Sequence, residues 1–313
     1  MRDELAAVAH LKALFSDSNH DSKRDAKHGE AGSSADGELG IGDDCATVDD
    51  APGTLVWTID EQAENTHFRR DWLSWKDVGY RSFIAAASDI AAMGGKATHA
   101  LTALALPNDF RDEDFVAITE GQLEAARAVG AKIVGGNLTR ANGVHVTTTV
   151  LGRAERTILR SGAKIGDGIW IAGAVGLAGL GLRALERGIS SAAVEAAITA
   201  WRRPSTLFAA ARAMAPLASA AIDVSDGLAR DAAHVAVASD VRVVFERALL
   251  RAYGERIGVT SPAAALGVDA VEAMLHGGED YALVVASRSE IEGFTRVGSV
   301  IAGSGVALDE ADI

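Results

Sequence analysis

Cysteine is all but missing from the chain, with one among 313 residues. A disulfide scaffold is thereby excluded, and a reducing compartment, the cytoplasm, is the expected location. Long apolar runs are missing as well. The longest uncharged apolar stretch, residues 168–182, is short of the roughly 20 residues a spanning helix needs and is broken by glycines. The N-terminal MRDELAAVAHLKALF carries acids and a histidine where a secretory leader has an apolar core, so neither leader nor membrane is expected. Basic charge is in short supply too. With 30 Lys and Arg against 43 Asp and Glu the net charge is −13, which argues against a nucleic-acid partner. Neither a G-x-x-x-x-G-K-[ST] loop nor a strand-linked G-x-G-x-x-G is present, so any nucleotide is bound without a Walker or Rossmann device.

What is present is an interleaved pattern of strands and helices. Leu5, Val8, Leu11, Leu14 and Phe15 form a helical stripe over residues 3–15, and residues 17–38, which lack any large apolar side chain, read as a flexible solvated loop. The pattern predicts strands at 54–59, 100–106 and 144–151 and helices at 76–93 and 112–129. A second half begins near Thr157. Strands are predicted there at 168–173, 220–224, 241–246 and 280–286, and helices at 177–187, 190–201, 205–213 and 227–238. The fold class expected is therefore α/β (α+β), in two domains covering residues 1–157 and 158–313.

The informative residues are acids beside glycines or inside apolar segments. GIGDDC places Asp43 and Asp44 after a Gly-x-Gly turn, and Asp60 ends the strand TLVWTI. Asp89 sits in the apolar helix FIAAASDIAAMG, where solubility does not require a charge. In AIDVSDGL, Asp223 and Asp226 bracket a strand-to-helix turn containing Ser225; HGGEDYALVVA adds Glu279 and Asp280 at the head of a strand. An acid such as Asp226 at a helix start is often only a cap. Together, however, the acids suggest a carboxylate cluster that needs cations. Oxygen ligands without a Cys/His set point to Mg²⁺, which normally bridges to phosphates, with a structural Ca²⁺ site as the alternative.

Seven ordered blocks then carry a resemblance: GIGDDC, DEQAENTHF, GYRSFIAAASDIAAMG, IVGGN, RSGAKIGD, AIDVSDGL and GGEDYAL. In order and spacing the chain resembles the thiamine-monophosphate kinase family, within the aminoimidazole-ribonucleotide synthetase superfamily. The resemblance implies a homodimer whose N-terminal domains pair into a β-barrel, each followed by an α/β C-terminal domain, with ATP and thiamine monophosphate in a cleft between the domains. It implies several Mg²⁺ ions with ligands at Asp44, Asp60, Asp89, Asp223 and Asp226, supported by Asp43 and Thr58, and with Asn137 able to offer a carbonyl oxygen. Gly136, Asn137, Arg160 and Ser225 are implied to meet ATP, and His67 and Glu279 thiamine monophosphate. Asp44, Asp60, Asp89, Arg160 and Asp223 would carry the catalysis. The acceptor is an ionised phosphate oxygen, so positioning and electrostatics suffice without a general base. Glu279 suits a cationic thiazolium. Two positions depart from the family pattern: Asn137, where it has an acid that would join the metal set, and Ile59, where it has a small polar residue. A superfamily enzyme working through an acyl-phosphate and a nucleotide-binding paralogue without turnover remain as alternatives.

Overall fold

The computed structural model describes Leu14 and residues 51–313. Asp43, Asp44, the expected loop over 17–38 and, apart from Leu14, the expected first helix lie outside the described residues. The chain divides into two compact units: the described residues up to Ala87 with Lys96–Arg153, and Ser88–Gly95 with Ala154–Ile313.

The first unit holds strands β1 (Thr54–Ala63), β2 (Lys96–Leu106), β3 (Lys132–Arg140) and β4 (His145–Ala154), in the order β1-β4-β2-β3. β2 runs antiparallel to β4 and parallel to β3. Two helices, α1 (Trp75–Ala92) and α2 (Asp112–Val129), cover one face of this sheet. Arg81 of α1 donates to Gln62 of β1, and Gln122 of α2 to Thr102 of β2, and all four side chains are buried. α2 matches the expected bounds because its ends are written locally. Asp112, Glu113 and Asp114 occupy the first turn, where the helix dipole favours acids, and Gly130 ends it in the left-handed conformation. The two helices approach closely enough that a Cβ on Gly79 would overlap the carbonyl oxygen of Ile118, and one on Gly121 that of Lys76.

β1 corrects one expectation. Asp60 does not end the strand, which continues to Ala63. The charged Glu61 does not break it because its carboxylate is taken up across the sheet, by Thr147 Oγ1 at 2.9 Å and His145 Nδ1 at 3.2 Å on β4. The His145 bond, followed by that from Thr147, lowers the Glu61 pKa. Strand alternation sends Val56, Thr58, Asp60 and Gln62 to the helix-covered side and Leu55, Trp57, Ile59 and Glu61 to the other, exposed side. The sheet is open, with β1 and β3 at its edges, and among the described residues no barrel closes within one chain.

The second unit is built on strands β5 (Gly168–Ala172), β6 (Ala220–Val224), β7 (Arg242–Phe245), β8 (Ala282–Ser287), β9 (Thr295–Ile301), β10 (Gly305–Leu308) and β11 (Ala311–Asp312). Their order is β11-β10-β7-β9-β5-β8-β6, antiparallel throughout except for the parallel pair β7–β10. Its helices are α3 (Leu177–Glu186), α4 (Ala192–Arg202), α5 (Phe208–Met214), α6 (Leu228–Ser239), α7 (Arg247–Ile257), α8 (Thr260–Leu266) and α9 (Ala270–His276). One core joins both element types, with Ile169, Ile171, Ile222, Val284 and Phe245 meeting Leu180, Leu228, Val235, Leu250 and Met274. Among the described residues no helix is long and apolar enough to cross a membrane.

Candidate functional site

In the second unit the site grows from β6. All five residues of this strand, AAIDV, are buried, and Asp223 is carried in with them. Ser88, near the end of α1, donates its hydroxyl to Asp223 Oδ2 at 2.7 Å, and Asp89 is the next residue. Burial pushes the Asp223 carboxyl up to about 7, the Asp89 charge pushes the same way, and the Ser88 hydrogen bond pulls back. This is an acid whose charge the protein alone does not stabilise.

Beyond Val224 the chain turns through residues 225–227 into α6. Asp226 is not the helix cap: that position is Gly227, at φ 117°, and no side chain caps it. The organising residue is Asp231, in the first turn of α6, which no sequence motif singles out. Its Oδ2 accepts three consecutive backbone N–H groups, from Ser225 at 3.0 Å, Asp226 at 3.0 Å and Gly227 at 3.1 Å. Asp231 is buried, and burial raises its pKa. A helix start normally offers such N–H groups to a phosphate. Here they are consumed from within, while the side chains of Ser225 and Asp226 are exposed. The turn thus presents oxygen to its surroundings, which suits a cation. Asp226 pairs with Arg230 at 3.2 Å, one helical turn on.

A second turn, residues 277–281, locks against the first. Glu279 N donates to Ser225 O and Tyr281 N to Val224 O, both at 2.8 Å. Gly278 has no room for a side chain, since its Cβ would overlap Ser225 O. Glu279 and Asp280 were expected to head a strand, but β8 begins at Ala282, because Glu279 at φ 71° and Tyr281 at φ 50° are left-handed rather than extended. Asp280 is absorbed structurally. Its carboxylate receives Gly176 N at 2.6 Å and Ala178 N at 2.9 Å at the start of α3. Glu279 is half-buried, with the Tyr281 hydroxyl donating to its Oε2 at 3.1 Å.

Arg160 is set apart from these groups. Leu159 O accepts from Ala221 N and Gly162 packs on Ser219 O, so the main chain at Arg160 follows the start of β6, whereas Asp223 and Asp226 lie at and beyond its end. In the first unit, Thr58 and Asp60 share one face of β1, and the Thr58 carbonyl accepts from Thr149 Oγ1 at 2.6 Å. Asp60 Oδ1 accepts from Glu61 N at 2.6 Å. His67 follows β1, and Ala63 N donates to its Nδ1 at 3.0 Å, which leaves Nε2 to carry the ring hydrogen. Gly136 and Asn137 are exposed on β3, paired in register with Thr102 and Ala103. Among the described residues no group of three or more His, Cys, Asp or Glu is gathered closely enough to hold a metal by itself.

The N-terminal part of the chain is of the AIR synthase class: residues 42–154 match the family model "AIR synthase related protein, N-terminal domain". Within that class the similarity is narrower. The chain is 35% identical over 278 residues to the thiamine-monophosphate kinase of Mycobacterium tuberculosis, covering 88% of this chain and 82% of that one. It therefore belongs to the thiamine-monophosphate kinase family. Among solved structures, thiamine monophosphate kinase (ThiL) from Aquifex aeolicus matches with TM-score 0.76 at 27% identity, over 83% of this chain and 88% of that one. AaThiL complexed with AMPPCP and TMP matches with TM-score 0.77 at 27% identity, over 86% and 87%.

Proposed function

We propose that this protein transfers the γ-phosphoryl group of ATP to thiamine monophosphate, forming thiamine diphosphate and ADP with Mg²⁺ in the cytoplasm. The observation that carries the reading is Asp223, a buried carboxyl beside Asp89 at a strand end, where ionisation is unfavourable until a cation arrives. Family membership and the relative complexed with AMPPCP and TMP support the choice of substrates.

The residues fit Mg²⁺ shared with phosphates. That ion usually takes one or two carboxylates and leaves its remaining positions to phosphate oxygens and water, so a complete protein cage is not required. Several Mg²⁺ ions are proposed: Asp223, Asp89 and Asp226 are the ligands offered by the second unit, Thr58, Asp60 and Asn137 those offered by the first, and Asp43 and Asp44 lie outside the described residues. Asp226 gives up only an exposed i,i+4 pair with Arg230, an interaction of small worth. When bound, the ion supplies positive charge that offsets repulsion between two anionic phosphates. Ser225, Gly136 and Asn137 are proposed to orient ATP, with Arg160 reaching phosphate through its long side chain. His67, with its hydrogen on Nε2, donates to thiamine monophosphate, and Glu279 faces the thiazolium. The acceptor oxygen attacks in line as the bond to ADP breaks and ADP leaves with the electron pair; no proton has to be removed first. Chromatography of reactions containing ATP, thiamine monophosphate and Mg²⁺ tests this. ADP without thiamine diphosphate points instead to another superfamily reaction, and no nucleotide turnover points to a binding protein.

Asn137 provides a graded check. Asn137→Asp adds one negative charge at the proposed metal position and is expected to lower the half-saturating Mg²⁺ concentration by about threefold to tenfold. Glu61 shares the open face of the sheet with Asn137, but its carboxylate is already taken up by Thr147 and His145. A Mg²⁺ titration in which the half-saturating concentration fails to fall removes Asn137 from the metal set.

The homodimer is proposed from the uncovered sheet face. Leu55 is 53% exposed, Trp57 74%, Ile59 68% and Leu101 41%, a set of large apolar side chains that a second copy would bury. Two such open sheets facing each other would form the expected barrel. Trp57→Glu is predicted to convert the dimer to monomer in light scattering; an unchanged mass rejects this face as the contact.

A further inference from the structure

We propose that Tyr281 is a positioning residue that fixes the Glu279 carboxylate and thereby sets selectivity for a positively charged substrate; the inference rests on reading this turn as the thiazolium-facing part of the site. The backbone is the first reason. Glu279 at φ 71° and Tyr281 at φ 50° are both left-handed, with one residue between them, a conformation uncommon for side chains of this size. It persists because the main chain is held on both sides. Glu279 N and Tyr281 N are bound to Ser225 O and Val224 O, and the intervening Asp280 side chain is committed to the start of α3.

The result is a side-chain contact between residues two apart, which in an extended strand would share a face but stand roughly 7 Å apart along it. The Tyr281 hydroxyl donates to Glu279 Oε2 at 3.1 Å, and the Tyr281 ring is buried, so the donor is rigid. Glu279 itself is half-buried, and water is at hand to solvate its carboxylate. The bond therefore contributes orientation more than solvation. Orientation matters for this ligand class because a quaternary ring nitrogen has no N–H with which to align the carboxylate. Attraction depends on the separation and facing of the two charges, and an unfixed Glu side chain loses rotamer freedom on binding. Tyr281 meets that entropy cost before the substrate arrives.

A double-mutant cycle on the full-length protein tests the proposal. Tyr281→Phe keeps the ring and removes the donor. It is expected to raise KM for thiamine monophosphate about tenfold, with kcat and KM for ATP within about twofold and the melting temperature unchanged. In a Glu279→Gln background, adding Tyr281→Phe should change KM by less than about twofold, because the charge it positions is gone. Glu279→Asp, which keeps the charge but draws it back from the hydroxyl, should by itself reproduce the rise in KM and make Tyr281→Phe silent. Unchanged KM in Tyr281→Phe, or the same factor in both backgrounds, overturns the proposal while the substrate reading stands. A parent protein that makes no thiamine diphosphate overturns the substrate reading and the inference together.

Discussion

Asp223→Asn is expected to lower turnover about a thousandfold while making the metal-free protein more stable near pH 8. The two effects have one cause. The Asp223 carboxyl ionises at about 7 in the folded chain against 3.8 for an ordinary aspartate, first because it is buried and then because Asp89 stands beside it. Between those values the folded state holds a proton that the unfolded state has released. The contribution is therefore fully favourable below about pH 4, falls as the pH rises towards 7 and stays low above it, a change on the order of 4 kcal/mol. An amide has no charge to bury and escapes that loss. A cation acts in the opposite direction, favouring the ionised acid, so its binding tightens over the same range. Melting curves in a chelator from about pH 5 to about pH 8 should fall for the parent and stay flatter for Asp223→Asn. Parallel curves, or near-normal turnover in the variant, would show that Asp223 is a structural acid.

The second large effect is predicted for Gly278→Ala, a change of one methyl group. Its Cβ would overlap the carbonyl oxygen of Ser225, the group that accepts from Glu279 N. The two turns must then separate, moving Asp226 relative to Glu279. Overpacking of this kind costs about 1–3 kcal/mol of stability. A displacement near 1 Å between groups that must act together costs about a hundredfold in rate. The variant should therefore remain folded, with a reduced melting temperature and kcat/KM down about a hundredfold. Wild-type kinetics in Gly278→Ala would show that the turns adjust independently.

Elements with local punctuation were legible in the sequence. α2 has acids at its start and Gly130 at its end, and β4 alternates half-buried and buried residues along its whole length. β3 was not legible, because Gly135 and Gly136 interrupt the apolar pattern of a strand, whereas they allow it to approach β2. α8 and α9, at 7 residues each, are too short to display a period, and tertiary contacts rather than propensity hold them. Within the site, acids inside apolar segments pointed to Asp89 and Asp223, yet only the fold shows them as neighbours. Asp231 could not be recognised, since its work is to collect N–H groups from a turn whose shape no local pattern specifies. Asp280 was legible as an unusual acid but not as a clamp for α3.

Gly136 bears on how loss of this activity would show itself over generations. A Cβ there would overlap the main chain of Thr102 on the neighbouring strand, so the sheet demands the glycine before any ligand does. A descendant that no longer handled nucleotide would still be selected to keep it, because replacing it damages strand pairing. Asp223 is under the opposite pressure: replacing it relieves a buried charge, and once catalysis is no longer needed the Ser88 hydrogen bond is a small return against that gain. In a drifting lineage the glycine would outlast the chemistry, and the buried acid would be the first to go.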